Sequence, residues 1–339
     1  MRARNAVAAV LAASLALGCI DTDIPPRPTV DPNATGPVEL ASGSGCGGLD
    51  LYVSGGVVYW TERLTGTVKS VPTRGGSTTV LATGQIAPGA ITADVLSIYW
   101  VSGNAIMKKA IAGGAPTLFV PATTEPENLG GENAINALLA DAGTLYYGRY
   151  IYAYSIPIGG GMKTPLLASP EQDRGKPGAF ALDATHLYQT EMGHGAISRE
   201  TLDGMQNGLT ETGAMQPLAP DRIAVSVMHL LTDAISVVDG KVIWAAGPNI
   251  NSKFVDQNEF VTAGLEATSM AGNDITGFVI SGDVIYFGES VTNTVQMAPL
   301  LTGIPTVIAT NQTNAGQFHA DDKNVFWRTD ECRIVRYSK

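Results

Sequence analysis

A pair of adjacent bulky, mostly aromatic residues recurs through this chain at a nearly fixed interval. It reads Tyr59-Trp60, Tyr99-Trp100, Tyr146-Tyr147, Tyr188-Gln189, Ile243-Trp244, Tyr286-Phe287 and Phe326-Trp327, at spacings of 40, 47, 42, 55, 43 and 40 residues. Self-similarity on this scale signals a repeat architecture, in which each unit buries its faces only against its neighbours. Each unit is also regular inside. Four pairs have an Asp five residues before the first member (Asp94, Asp141, Asp183, Asp321), and a short apolar run such as Ala179-Phe180-Ala181-Leu182 precedes that Asp. After the pair come a polar loop, an alternating run such as Thr67-Val68-Lys69-Ser70-Val71, a glycine turn, and a fourth run such as Thr79-Val80-Leu81-Ala82. Alternation with period two marks strands. The glycines at Gly75-Gly76, Gly113-Gly114 and Gly159-Gly160-Gly161 supply the positive φ of a tight hairpin. An Asp at a turn bonds the backbone N–H groups that follow it. Each unit is thus four antiparallel strands, A to D. Such units, repeated, make a β-propeller. The expected fold is an all-β propeller of about seven four-stranded blades, with six as the alternative count.

Composition agrees. The chain is 15% charged and carries 39 Gly and 19 Pro among 339 residues, which suits short strands and tight turns. A formal charge of −10 argues against a nucleic-acid partner, because phosphate binding needs a basic surface.

The two ends of the chain complement each other. The last unit has strand A around residues 317–320, strand B at 325–328 and strand C at 332–337, and then the chain stops. Residues 37–42 (Pro-Val-Glu-Leu-Ala-Ser) look like the strand-D run at 79–83. The N-terminal segment is therefore expected to supply the missing strand D and close the ring, since an open ring leaves sheet edges and blade faces exposed.

Upstream of that strand, Arg2 and Arg4 precede an apolar stretch from Ala6 to Leu17, far short of the ~20 residues that span a membrane. The stretch ends in Leu15-Ala16-Leu17-Gly18-Cys19, which resembles the lipobox of bacterial lipoproteins. That resemblance implies cleavage before Cys19 and a diacylated Cys19 sulfur. The family usually has Leu three residues before the Cys, where this chain has Ala16. An ordinary secretion signal with an incidental Cys is the alternative. Ile20, rather than Asp, follows Cys19, which points to the outer membrane. Pro25, Pro26, Pro28 and Pro32 lie among polar residues and read as an extended tether. The expected organisation is a signal peptide at 1–18, a lipidated Cys and tether at 19–36, and the propeller at 37–339.

Tyr59-Trp60-Thr61-Glu62 resembles the YWTD repeats of low-density-lipoprotein-receptor-type propellers, a likeness extended by Pro88 and by the Asp before Tyr99-Trp100. Those propellers have six blades and accompanying EGF-like modules, and only the first repeat here approaches the full motif. The chain is more similar to bacterial secreted propeller lipoproteins with Tyr-Trp and Gly-Gly repeats. That likeness implies the fold and no particular activity.

Candidate site residues follow from this scheme. Strand direction alternates, so B–C and D–A connections share one face. Cys46 lies in the D–A connection after the closing strand and Cys332 in the last B–C connection, so a Cys46–Cys332 disulfide is expected in an oxidising compartment. The same face holds the B–C loops with Arg149, Tyr150, Glu191 and His194, and two long connections at 121–137 and 212–234, both read as D–A. Long connections on a rigid scaffold are where binding groups concentrate. His319, two residues before Asp321 on an inner strand, faces either the channel or the core. The four His (His186, His194, His229, His319) show no close metal-ligand spacing, so no metal and no cofactor is expected. Calcium in the acidic loops carrying Glu125, Glu127, Glu132, Glu171 and Asp173 is the one exception considered. Gly159-Gly160-Gly161-Met162-Lys163-Thr164 lacks the order of a phosphate loop and sits in a hairpin. Two functions emerge. One is a non-catalytic, lipid-anchored envelope or surface propeller that binds a protein or glycan or scaffolds assembly. The other is an exported propeller hydrolase or lyase, metal-dependent or not, with its site at the channel mouth.

Overall fold

The computed structural model describes residues 36–43, 50–122, 135–149, 152–167, 176–192, 196–202, 221–225, 231–256, 264–300 and 304–339. Its strands are β1 (Val38–Ser42), β2 (Leu51–Ser54), β3 (Val57–Glu62), β4 (Thr67–Pro72), β5 (Thr79–Ala82), β6 (Ile91–Ala93), β7 (Ser97–Ser102), β8 (Ala105–Ala110), β9 (Thr117–Val120), β10 (Ile135–Asp141), β11 (Thr144–Arg149), β12 (Tyr152–Pro157), β13 (Thr164–Leu167) and β14 (Lys176–Leu182). They continue with β15 (His186–Met192), β16 (Ala196–Thr201), β17 (Asp221–Val225), β18 (Leu231–Val238), β19 (Lys241–Ala246), β20 (Asn249–Phe254), β21 (Gly264–Thr268), β22 (Ile275–Ser281), β23 (Val284–Glu289), β24 (Thr294–Pro299), β25 (Thr306–Ala309), β26 (Gly316–Ala320), β27 (Asn324–Arg328) and β28 (Arg333–Ser338). They form seven four-stranded antiparallel sheets. Blades 1 to 6 are β2 to β5, β6 to β9, β10 to β13, β14 to β17, β18 to β21 and β22 to β25, and blade 7 is β26, β27, β28 and β1. The fold is a seven-bladed β-propeller.

The expected closure is present. β1 pairs antiparallel with β28, Val38 opposite Arg336 and Ser42 opposite Arg333, and so completes blade 7 from the other end of the chain.

The packing explains why the repeated motif is a pair. Successive residues of a strand point to opposite faces, so the two members serve two different blade interfaces. Tyr59 packs with Ile98 and Trp100 of blade 2, whereas its neighbour Trp60 packs with Phe326 and Ile334 of blade 7. Tyr99 and Tyr147 meet between blades 2 and 3, Tyr188 and Trp244 between blades 4 and 5, and Tyr286 and Trp327 between blades 6 and 7. Gln189 departs from the pattern. It is buried at 1% exposure where the other blades carry an aromatic, and neither end of its amide has a hydrogen-bond partner among the described residues.

The Asp motif divides into two kinds of A–B turn. In blades 2, 4 and 7 the turn has three residues and the Asp staples it. Asp94 Oδ1 accepts from the N–H groups of Leu96 and Ser97 at 2.7 and 2.6 Å, and its Oδ2 accepts from the Tyr99 hydroxyl at 3.0 Å. Asp183 repeats this with Thr185, His186 and Tyr188. Asp321 binds the N–H groups of Lys323 and Asn324 and the Asn324 side chain, since Phe326 has no hydroxyl to offer. Asp141 instead ends its strand before a two-residue turn, Ala142-Gly143, with φ of 44° and 85°. The five-residue spacing therefore does not by itself specify the turn.

One connection is corrected. Residues 212–234 are not a single D–A connection, because β17 lies within them and pairs with β16 as the outer strand of blade 4. The chain between Thr201 and Asp221 joins strand C to strand D, whose connections belong to the opposite face. Only residues 226–230 remain between strand D of blade 4 and strand A of blade 5.

Candidate functional site: the central channel and its mouth

Strand A of every blade faces the ring axis, and together they enclose a channel of about 690 Å³. Its mouth opens on the B–C face, where Asp50, Arg63, Asn314, Arg328 and Asp330 line it. Deeper in, His319 also lines the channel and meets Tyr52 edge-on, the ring centroids 5.0 Å apart. Burial pushes the His319 pKa down to about 4, against a smaller opposing effect from its backbone hydrogen bond with Leu51. The imidazole is therefore neutral at pH 7. His319 thus both borders the channel and packs into the seam against blade 1.

The B–C face around the mouth is rigidified by buried polar groups placed two residues after the aromatic pair in blades 1, 3, 4, 6 and 7. At that register Glu62 is fully buried and accepts from Trp60 Nε1 at 3.1 Å, Thr65 Oγ1 at 2.9 Å, Thr67 Oγ1 at 3.2 Å and Lys69 Nζ at 2.8 Å. Burial opposes ionisation, but Lys69, Trp60 and Thr65 outweigh it and hold the Glu62 carboxyl below its ordinary pKa. Glu289 repeats this arrangement with Thr292 and Thr294. Both segments read Glu-x-x-Thr-x-Thr-Val, at Glu62–Val68 and Glu289–Val295, a signal that the pair-based reading passed over.

Arg149 and Glu191 occupy the same register in blades 3 and 4. Arg149 is 2% exposed and donates from Nη2 to the carbonyls of Asn104 at 2.9 Å and Pro121 at 3.3 Å, which fastens blade 3 to blade 2. Glu191 is also fully buried. Both residues thus sit inside the wall that supports the face. Tyr150, His194, Cys19 and Cys46 lie outside the described residues, as do Glu125, Glu127, Glu132, Glu171, Asp173 and His229. Cys332 is buried at the end of the last B–C turn, and its carbonyl accepts from the Gly43 N–H at 2.9 Å. His186 lies on the opposite face, 2.7 Å from the Thr185 hydroxyl.

A second element missed in sequence is a glutamine latch between blades. Gln85 and Gln312 lie in the D–A connections before blades 2 and 7, each fifteen residues ahead of a tryptophan. Gln85 Oε1 accepts from Trp100 Nε1 at 2.9 Å, and Gln312 Oε1 accepts from Trp327 Nε1 at 2.9 Å. Each Gln also donates from Nε2 to the carbonyl two residues back, at Thr83 or Thr310. Their backbone N–H groups bind the B–C turns of the preceding blades, at Gly66 O and Asn293 O. The signal was a Thr-x-Gln triplet at constant distance from Trp. Gly288 serves the same face, because a Cβ there would collide with the Ala315 carbonyl of blade 7.

No protein-family model and no curated protein matches the chain. Solved structures do resemble it in fold. Virginiamycin B lyase from Staphylococcus aureus superposes with a TM-score of 0.67 at 13% identity, over 89% of this chain and 98% of that one. A streptogramin B lyase gives 0.65 at 16% identity, over 89% and 97%. BamB from Moraxella catarrhalis gives 0.55 at 14% identity, over 86% and 84%. At these identities the likeness concerns the propeller itself.

Among the described residues, no group of three or more His, Cys, Asp or Glu is placed to hold a metal ion, and no helix is long and apolar enough to cross a membrane.

Proposed function

We propose that this protein is an exported, lipid-anchored envelope propeller that works by binding, with a protein or glycan partner engaged on its B–C face. The observation that carries this reading is how the polar side chains of that face are employed. Glu62, Glu289 and Arg149 are buried and hold the turns and blade seams together, and His319 is neutral within the channel. Such groups build a rigid platform. The lipobox-like Cys19 and the proline-rich segment after it support an anchor and tether, with the outer membrane as the destination. The YWTD-like repeats support membership among secreted propeller lipoproteins. A Cys46–Cys332 disulfide fits the same compartment. Gly43, three residues before Cys46, already bonds to the Cys332 backbone, so the bridge would lock the closing strand to blade 7.

The test is metabolic labelling with a fatty-acid probe, together with affinity capture by the full chain and mapping of the partner's footprint. Label that depends on Cys19 and a footprint on the B–C turns support the reading. Equal labelling of Cys19→Ala, or a footprint on the Gly75, Gly113 and Gly160 turns, would reject the anchor or the face respectively.

The hydrolase or lyase reading is favoured by one observation, the fold shared with virginiamycin B lyase. Turnover of a streptogramin B substrate by the purified chain, lost when His319 or His194 is replaced, would establish it instead.

A further inference from the structure

The channel is two-sided. Among the described residues, every charged side chain that lines it belongs to blade 1 or blade 7: Asp50 and Arg63 from one, Arg328 and Asp330 from the other. The described lining from blades 2 to 6 is mostly apolar, with Ile91, Leu138, Phe180, Ile235 and Phe278 beside Asn136 and Thr276. The described charges are thus gathered at the seam of blades 7 and 1, and the described apolar lining comes from the rest of the ring.

Arg328 is out of place for its register. It directly follows the aromatic pair of blade 7, where blades 1 to 6 carry Thr61, Val101, Gly148, Thr190, Ala245 and Gly288. Its Nη1 donates to Asp330 Oδ1 at 2.7 Å, but its buried Nε has no hydrogen-bond partner among the described residues. Buried polar atoms are nearly always satisfied, and an orphan points to a water or ligand that belongs there. Asp330 thus pairs with one arm of the guanidinium, and its other oxygen accepts from Asn314 Nδ2 at 2.6 Å. Arg63, on the B–C turn of the adjoining blade, is exposed and makes no ion pair with a described residue. Two guanidinium groups therefore border one cavity with donors to spare.

We propose that the mouth at the seam of blades 7 and 1 binds a small amphipathic monoanion, a carboxylate on an apolar body. Arg63 and Arg328 bind the carboxylate, a geometry to which the guanidinium fork is suited. The apolar body lies against blades 2 to 6. Among the described residues the mouth carries two Arg and two Asp, so it has no net charge to hold a multiply charged ligand, and the anion must be recognised by the two guanidinium groups themselves. A channel of about 690 Å³ is the size of ordinary small-molecule pockets. The site does not depend on anchoring or on a macromolecular partner, and its test is separate from theirs.

The experiment is calorimetric titration of the full chain with octanoate, 4-phenylbutyrate and indole-3-acetate, each beside its primary amide. At least one carboxylate should bind about tenfold or more tightly than its amide. That preference should fall to about threefold or less in Arg63→Gln and in Arg328→Gln, and vanish in the double variant. Arg74→Gln, on an exposed turn of the opposite face, should keep it. Arg63→Gln should melt as wild type does, so its loss of binding cannot be ascribed to unfolding. No carboxylate preference from any of the three pairs, or a preference that survives in the double variant, overturns the proposal.

Discussion

The glutamine latch can be tested by a double-mutant cycle at Gln312 and Trp327. Trp327 is fully buried, and its indole N–H has Gln312 Oε1 as partner at 2.9 Å. Gln312→Leu keeps approximately the side-chain volume but leaves that N–H buried and unpaired. An orphaned buried donor costs about 1–3 kcal/mol. Unfolding entropy is about 2.1 cal/mol/K per residue, or about 0.6 kcal/mol/K for a domain of roughly 300 residues, so a loss of about 2 kcal/mol lowers Tm by about 3 °C. Trp327→Phe removes the donor at a separate packing cost. In that background the same Gln312→Leu change strands no donor and loses only the Nε2 bond to the Thr310 carbonyl, a cost common to both backgrounds that cancels in the cycle. The expected coupling is therefore about 1–2 kcal/mol, read from urea denaturation of the four proteins. Equal costs of Gln312→Leu in both backgrounds, within the roughly 0.3–0.5 kcal/mol expected of independent sites, would refute the latch. Gln85 and Trp100 should give the same cycle, because the geometry repeats between blades 1 and 2.

Gln189→Leu should stabilise the protein by about 1 kcal/mol, since it removes two buried amide atoms that have no partner among the described residues from the seam of blades 3 and 4; a lower denaturation midpoint would contradict this. Deleting residues 37–42 should lower Tm far more than deleting 22–34, because the first removes the strand paired with β28; equal shifts would argue against ring closure by β1. Partial burial raises the pKa of Asp183, but the Tyr188 hydroxyl, the N–H groups of Thr185 and His186 and the Thr185 hydroxyl overcome this and hold it at about 2, against an ordinary 3.8. Its stabilising effect is therefore complete above about pH 4 and is lost as pH falls toward 2; the Tm gap between wild type and Asp183→Asn should close over that window, and a gap unchanged at pH 2 would dismiss the staple. Glu191→Ala, at a fully buried position, should lower stability measurably; a melting curve identical to wild type would place that side chain outside the wall of the face.

The sequence alone determined what is local and repeated. Blade number, strand order, the hairpin glycines and the closing strand were legible because each rests on a period of two or on a spacing of about forty residues. The aromatic pair was readable for the same reason, since one pair must serve two interfaces on opposite faces of one strand. What joins different blades was decided by the tertiary structure. Arg149 and Glu191 look like loop residues in sequence, yet folding places both in the supporting wall. Residues 212–234 pass for one D–A connection until β17 is seen to pair with β16. Asp94 and Asp141 share a spacing but not a turn, because the turn depends on whether two left-handed residues or an Asp staple ends the strand. The two-sided channel exists only because closure sets blade 7 beside blade 1, which brings Arg63 and Arg328 to one opening from 265 residues apart in sequence. A contact across a seam has no period, so nothing in a linear pattern announces it.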